Sequence, residues 1–245
     1  MSKAVTAVDP VRVRSALAAI RSRIERACAV SGRRAEAITI VAVTKGFGPE
    51  AISAALAAGL TDIGENYYQE ATAKFGAVKW PPFPVRRHFI GRLQRNKARR
   101  VASLFDVVQT VDSVAGATTL DDAAQQSGKT LDILIQTNVA GDDRQGVQPA
   151  LVQPLLAQLE RCRHLRPQGL MAIGPRDGNR TLAVFSHAAA LAASLQHSYP
   201  YVRMLSMGMS ADLEEAVRAG TTMLRIGTGL FGERPASVET PMEEG

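Results

Sequence analysis

Ile38-Thr-Ile-Val-Ala-Val-Thr44, then Lys45-Gly-Phe-Gly-Pro49, then Glu50-Ala-Ile-Ser-Ala-Ala-Leu-Ala-Ala58 is the stretch from which the fold is read. Its first part is apolar and β-branched without alternation, which predicts a strand buried on both faces. The glycines and proline make a turn, and the alanine-rich part that follows is helical. Lys45 therefore stands at the C-terminal lip of a buried strand, where parallel α/β folds build their binding sites. A lysine there forms a Schiff base with a carbonyl when its amine is partly desolvated and its pKa falls. Taken alone, it also reads as a strand-ending side chain that reaches out to water.

The same pattern recurs in both directions. Strand candidates fall at 38–44, 60–64, 87–91, 105–111, 131–138, 169–173, 201–207 and 222–227. Helix-length segments at 49–58, 92–103, 113–127, 149–161, 180–197 and 210–219 follow most of them. Asp9-Pro10 opens a further, leading helix, with an N-cap followed by proline at the first helical position. Val13, Leu17, Ile20, Ile24, Ala27 and Cys28 then recur at helical spacing as far as Ser31-Gly32. Eight βα units and a leading helix predict a single TIM-type (β/α)8 barrel with an extra N-terminal helix, and 245 residues is the usual size for one. A doubly wound open sheet more commonly has about five or six strands. Residues 1–234 are read as this one barrel and 235–245 as a disordered acidic tail.

Apolar residues make up 46% of the chain, enough for a sizeable core, and the aromatic share of 5% points to tight helix-on-sheet packing by small residues. The net charge of +6 directs attention to anionic ligands, although an arginine-rich surface also serves solubility. Cys28 and Cys162 have no metal-ligand or redox spacing, and Cys28 falls on the apolar face of the leading helix as a buried free thiol. The four histidines show no paired metal-ligand pattern. No secretory pattern opens the chain and no apolar stretch approaches a membrane span, so the expectation is a reduced, soluble, cytoplasmic protein.

Four strand ends carry polar residues: Gly64-Glu-Asn-Tyr-Tyr-Gln-Glu70, His88-Phe-Ile-Gly-Arg-Leu-Gln-Arg-Asn-Lys97, Leu205-Ser-Met-Gly-Met-Ser210 and Leu224-Arg-Ile-Gly-Thr-Gly229. At one end of a barrel they would surround a single cavity. Ser210 heads the helical segment Ala211–Ala219, as an ordinary N-cap or as part of a phosphate site at a helix N-terminus. Gly227-Thr228-Gly229 offers a second set of close-approach amides, and the loops after the seventh and eighth strands are the usual phosphate site of such barrels. Arg225 lies inside an apolar strand and needs a partner, since a lone buried charge is costly. It either donates to a ring nitrogen, keeping that nitrogen unprotonated, or pairs with a carboxylate such as Glu65. The basic run Arg86–Arg100 reads as the solvated face of a helix or as a nucleic-acid surface; no aromatic residues interleave it, so a stacking platform for single strands is disfavoured.

Together these segments resemble the pyridoxal phosphate homeostasis protein family, also called the proline synthetase co-transcribed homologue family. The resemblance rests on Val41–Lys45, Gly64–Glu70, His88–Lys97, Gly169–Ile173, Leu205–Ser210 and Arg225–Thr228, in order along most of the chain. Thr44, Tyr68 and Arg144 depart from the usual residues and touch none of the inferred contacts. The resemblance implies a barrel like the N-terminal domain of alanine racemase, with pyridoxal 5′-phosphate (PLP) held as an internal aldimine on Lys45. It implies Ser210, Gly227 and Thr228 as phosphate contacts, Arg225 opposite the pyridine nitrogen, and Asn66, His88 and Met207 lining the pocket. It also implies a role in buffering, carrying or delivering PLP, with apo PLP-dependent enzymes as recipients and no dedicated catalytic activity. A weak amino-acid racemase is the alternative. Racemisation needs two proton donors on opposite faces, and the racemase likeness assigns the second to a tyrosine of a separate domain for which the sequence leaves no room. Tyr67 and Tyr68 are the nearby candidates for a substitute.

Overall fold

The structure, a computed structural model, describes residues 8–176 and 178–234. Asp9 caps the leading helix α1 (Pro10–Ser31) as its sequence predicts, its side chain accepting from the Val11 N–H at 2.9 Å, and Gly32 ends the helix at φ 64°. The apolar face read from the sequence is the buried one, and Cys28 is a buried free thiol.

Eight parallel strands follow. They are β1 (Thr39–Val43), β2 (Asp62–Glu65), β3 (Arg86–Phe89), β4 (Val107–Val111), β5 (Leu131–Gln136), β6 (Leu165–Met171), β7 (Met204–Ser206) and β8 (Met223–Ile226). Each pairs with the next, and β8 returns to β1 with Val41 opposite Arg225, which closes the barrel. The connections carry α2 (Pro49–Ala57), α3 (Tyr68–Ala77), α4 (Ala98–Leu104), α5 (Val114–Gln126), α6 (Pro149–Leu159), α7 (Thr181–Leu195) and α8 (Leu213–Ala219), with a short α9 (Thr228–Phe231) after the last strand. The predicted fold class is the observed one.

Three local expectations are corrected. Helix α3 begins inside the segment read only as a strand end, because its apolar positions Ala71 and Phe75 are few. The predicted helix 92–103 starts late, as a 3-10 turn over Arg95–Lys97 that leads into α4. Helix α8 starts at Leu213 rather than Ala211, so Ser210 is not its cap and lies instead in the preceding turn.

Strand parity sorts the core into two layers. A Cβ at Gly64 would lie 2.9 Å from Val41 and 3.4 Å from Ile90, so these residues share the barrel interior. Their neighbours Ile40, Ala42 and Ile63 face outward into the continuous apolar layer beneath the helices. Phe105 anchors that layer, packing tilted or edge-on against Phe89 and Phe75 at 5.2 and 5.7 Å. Among the described residues, no helix is long and apolar enough to cross a membrane. The tail expected at 235–245 lies outside the described residues.

Helix α1 also reaches the lip of the barrel. Arg23 grips Glu214 of α8 with two hydrogen bonds of 2.6 Å and donates a third to the Ser210 carbonyl at 3.0 Å. The loop between β7 and α8 is thereby tied to the leading helix.

Candidate cofactor site

A cavity of about 410 Å³ opens at the C-terminal end of the strands, and Lys45, Asn66, Ser210, Arg225, Gly227 and Thr228 line it together. These residues come from the ends of four strands or the loops after them, so they meet only because the barrel closes. Val43, Ile90, Met171 and Ile173 supply apolar wall, and Met209 and Arg234 stand in the lining as well. Sequence reasoning did not single out Met209 or Arg234; neither carries a motif of its own.

Lys45 is half-buried just past the end of β1. Burial, then the positive charges of Arg234 and Arg225, hold its amine below the ordinary lysine range, against the opposing pull of Glu65 and Glu70. The backbone on either side of it is fixed from below. Lys74 of α3, almost fully buried, donates to the Thr44 carbonyl at 2.6 Å and to Glu65 at 2.7 Å, and forms an ion pair with Glu70 at 2.6 Å. The Thr44 hydroxyl donates to Glu65 at 2.6 Å, and the Gly46 N–H donates to Glu70 at 2.6 Å. Burial pushes the Glu65 carboxyl up to about 7, although Lys74 and Thr44 pull it down. The sequence offered one signal of this clamp, the Glu70/Lys74 spacing of four on one helix face.

Arg225 does not pair with Glu65, whose cation is Lys74. It donates to the Ser206 hydroxyl at 2.8 Å and to the Ala172 carbonyl at 2.9 Å, both neutral acceptors. Burial lowers its guanidinium to about 10, with Asp212 nearby acting in the other direction. Among the described residues no carboxylate lies in hydrogen-bond reach of this buried cation, which faces a cavity and has donors to spare for a ligand.

Ser210 and the loop after β8 converge. The Ser210 hydroxyl accepts from the Gly229 N–H at 2.9 Å and from the Thr228 hydroxyl at 3.3 Å. Among the described residues, no acceptor takes the backbone N–H of Ser210, Ala211 or Thr228. Gly208 makes the β7–α8 turn at φ 92°, where a Cβ would come within 2.4 Å of Ala216. On the other side, Gly91 lets the Asn66 carbonyl approach to where a Cβ would lie only 1.9 Å from it.

Two expected pocket residues sit elsewhere. His88 is fully buried inside the barrel beneath the cavity, hydrogen-bonded to Asp62 and Gln109. Met207 is fully buried in the apolar layer under the helices. Strand parity is the reason: Ser206 points into the barrel, so Met207 after it points out. The basic run also divides. Arg86 and Arg87 pair with Asp132 and Asp106 at the start of β3, whereas Arg100 lies over the Tyr68 ring beyond the strand's other end. The run forms no single face. No cluster of metal-ligating side chains occurs among the described residues.

This arrangement can be set beside known proteins. The family model for the N-terminal domain of alanine racemase matches residues 16–235. The pyridoxal phosphate homeostasis protein of Escherichia coli K12 is 38% identical over 232 residues, covering 90% of this chain and 96% of that one. Its counterpart in Vibrio alginolyticus is 40% identical over 211 residues, covering 84% and 91%. The chain belongs to the pyridoxal phosphate homeostasis protein family. Among solved structures, PipY of Synechococcus elongatus, determined with PLP bound, has a TM-score of 0.79 at 35% identity, covering 90% of this chain and 100% of that one. An alanine racemase of Clostridium difficile 630 shares the fold at a TM-score of 0.72 and 14% identity, with 94% of this chain matching 58% of the larger enzyme. The homeostasis proteins and the racemase therefore share one barrel, and the family assignment rests on the former.

Proposed function

We propose that this protein is a cytoplasmic carrier and buffer of PLP, with one cofactor site built on the barrel of residues 1–234 and apo PLP-dependent enzymes as recipients. One observation carries the reading: an amine, a buried guanidinium with spare donors and backbone N–H groups left unfilled among the described residues converge on one cavity. They suit, in that order, an aldehyde, a ring nitrogen and a phosphate. The bound group would supply an aldehyde that condenses reversibly with amines and, when its ring nitrogen is protonated, an electron sink.

Lys45 is the residue to hold the aldehyde carbon, since its lowered pKa leaves more of the amine unprotonated and nucleophilic. Ser210, Gly227 and Thr228 hold the phosphate through hydroxyl and amide donors, and Asn66 contributes to the wall of the pocket. Arg225, which can only donate, accepts no proton and keeps the facing nitrogen unprotonated. That choice favours storage over catalysis. Neither Tyr67 nor Tyr68 lines the cavity, and the Tyr68 hydroxyl is engaged by Arg100, so neither is poised as an opposing acid.

The test uses the purified protein loaded with PLP. Borohydride reduction followed by peptide mapping should place the pyridoxyl group on Lys45; a label confined to another lysine refutes that assignment. Mixed with an apo PLP enzyme, the loaded protein should restore that enzyme's activity while turning over no common amino acid itself. Racemisation or cleavage at ordinary enzyme rates, on the order of 1 per second or faster, replaces the carrier reading with the racemase alternative.

A further inference from the structure

The interior of a TIM-type barrel is usually filled with branched apolar side chains. Here five polar groups cross it, running from Arg225 in the cavity lining down into the barrel, each from a different strand. Arg225 donates to the Ser206 hydroxyl at 2.8 Å, and Ser206 donates to Gln109 Oε1 at 2.7 Å. Gln109 Nε2 lies 2.9 Å from His88 Nδ1, and His88 Nε2 lies 2.8 Å from Asp62 Oδ1. Ser206, Gln109 and His88 are fully buried, and Arg225 and Asp62 nearly so.

The direction of this chain is fixed from both ends. A guanidinium can only donate, so Ser206 must accept from Arg225 and is left to pass its own proton to Gln109. A carboxylate can only accept, so His88 must donate from Nε2 to Asp62. Burial holds His88 below its ordinary pKa, which favours the neutral ring, and the Gln109 amide nitrogen 2.9 Å from Nδ1 uses that nitrogen as an acceptor. Each of the three middle members, Ser206, Gln109 and His88, makes one donation and one acceptance along the line. Reversing any link would set two donors or two acceptors against each other inside a dry barrel.

We propose that Ser206, Gln109, His88 and Asp62 are positioning residues for the cofactor: their one-way hydrogen-bond chain holds the Arg225 guanidinium aimed at the ring nitrogen. The chain supplies what a neighbouring carboxylate would otherwise supply. It anchors the cation without neutralising it, and Asp62, the chain's negative end, lies at the start of β2, far from the lip where Lys45 stands. An aspartate placed directly against Arg225 would fix its orientation equally well but would draw its donors away from the ligand. This inference rests on the PLP reading of the cavity.

The test compares PLP with its carbocyclic analogue, in which a C–H replaces the ring nitrogen while the aldehyde and phosphate remain. Dissociation constants are measured by absorbance for the full-length protein and for Ser206→Ala, Gln109→Met and Ser206→Thr. In Ser206→Ala and Gln109→Met the PLP constant should rise about ten-fold, the loss of one well-aimed charge-assisted hydrogen bond, and that of the analogue by less than about three-fold. Ser206→Thr, which keeps the hydroxyl, should restore PLP binding. Circular dichroism and urea unfolding establish that each variant is folded. Equal losses for both ligands, or no loss for either, overturn the chain as a positioning device. Failure of the unaltered protein to take up either ligand overturns the cofactor reading itself.

Discussion

Replacing Lys74 with methionine keeps the length of the side chain and removes its charge and three donors. In the folded protein that amine is the only cation within salt-bridge distance of Glu65 among the described residues, and Glu65 is completely buried. Glu65 Oε2 has no hydrogen-bond partner there, so its Oε1 would retain the Thr44 hydroxyl alone. Breaking a buried ion pair from one side typically costs about 3–5 kcal/mol, a large share of a domain's total stability of about 5–15 kcal/mol. The loss depends on pH in a stated direction. Burial already lifts the Glu65 carboxyl to about 7 from an ordinary 4.5, and removing Lys74, which pulls it down, lifts it further. A carboxyl raised in the folded state penalises folding increasingly as pH climbs from its unfolded to its folded pKa. At pH 6 both proteins hold Glu65 largely protonated, so the variant loses mainly hydrogen bonds. At pH 8.5 the unaltered protein carries an ionised, paired Glu65, whereas the variant must bury an unpaired charge or keep the proton. Urea unfolding of the apo protein at the two pH values measures the difference, which should be larger at pH 8.5. Adding Glu65→Gln to the variant should abolish the pH dependence. A loss below about 1 kcal/mol, or one equal at both pH values, refutes the view that Lys74 sustains a buried carboxylate.

Removing the Ser210 hydroxyl by Ser210→Ala should weaken PLP binding roughly ten- to a hundred-fold, the worth of a charge-assisted hydrogen bond, and pyridoxal without its phosphate should bind poorly to the unaltered protein; equal affinity for the two compounds refutes a phosphate site at these loops. Gly208→Ala should destabilise the protein by about 2 kcal/mol or more, since φ is 92° and the new methyl would lie 2.4 Å from Ala216; an unchanged thermal midpoint would show that the β7–α8 turn relaxes freely.

What local sequence dictates was legible without the structure. Strands announced themselves by runs of β-branched and apolar residues, α1 by its cap and apolar stripe, and Lys45 by standing where a buried strand gives way to glycine and proline. Eight such units leave little choice of fold, since buried parallel strands with covering helices close most readily as a barrel. Ser210, Asn66, Gly227 and Thr228 were placed at one end of that barrel by their positions after strands, Arg225 by its place near the end of one, and they do share one cavity. Helix starts were less legible: Ser210 looked like a cap because serine commonly is one, yet the turn at Gly208 delays α8 to Leu213.

Which way a side chain faces, and what it meets, was settled only in three dimensions. In Leu205-Ser-Met207 a one-residue difference in parity decides whether serine or methionine enters the barrel, and a three-residue strand carries too little periodicity to tell. Glu65 was one candidate partner for Arg225, but α3 swings Lys74 beneath the lip and takes it. Ser206 and Gln109 are 97 residues apart in sequence and 2.7 Å apart in the fold. The sequence alone therefore determined the barrel and the end of it where the site stands, because periodicity and turn chemistry act over a few neighbouring residues. The partners of each buried charge were decided by the tertiary structure, because closure of the sheet fixes which distant strands share a layer, and burial then leaves each charge only the neighbours of that layer.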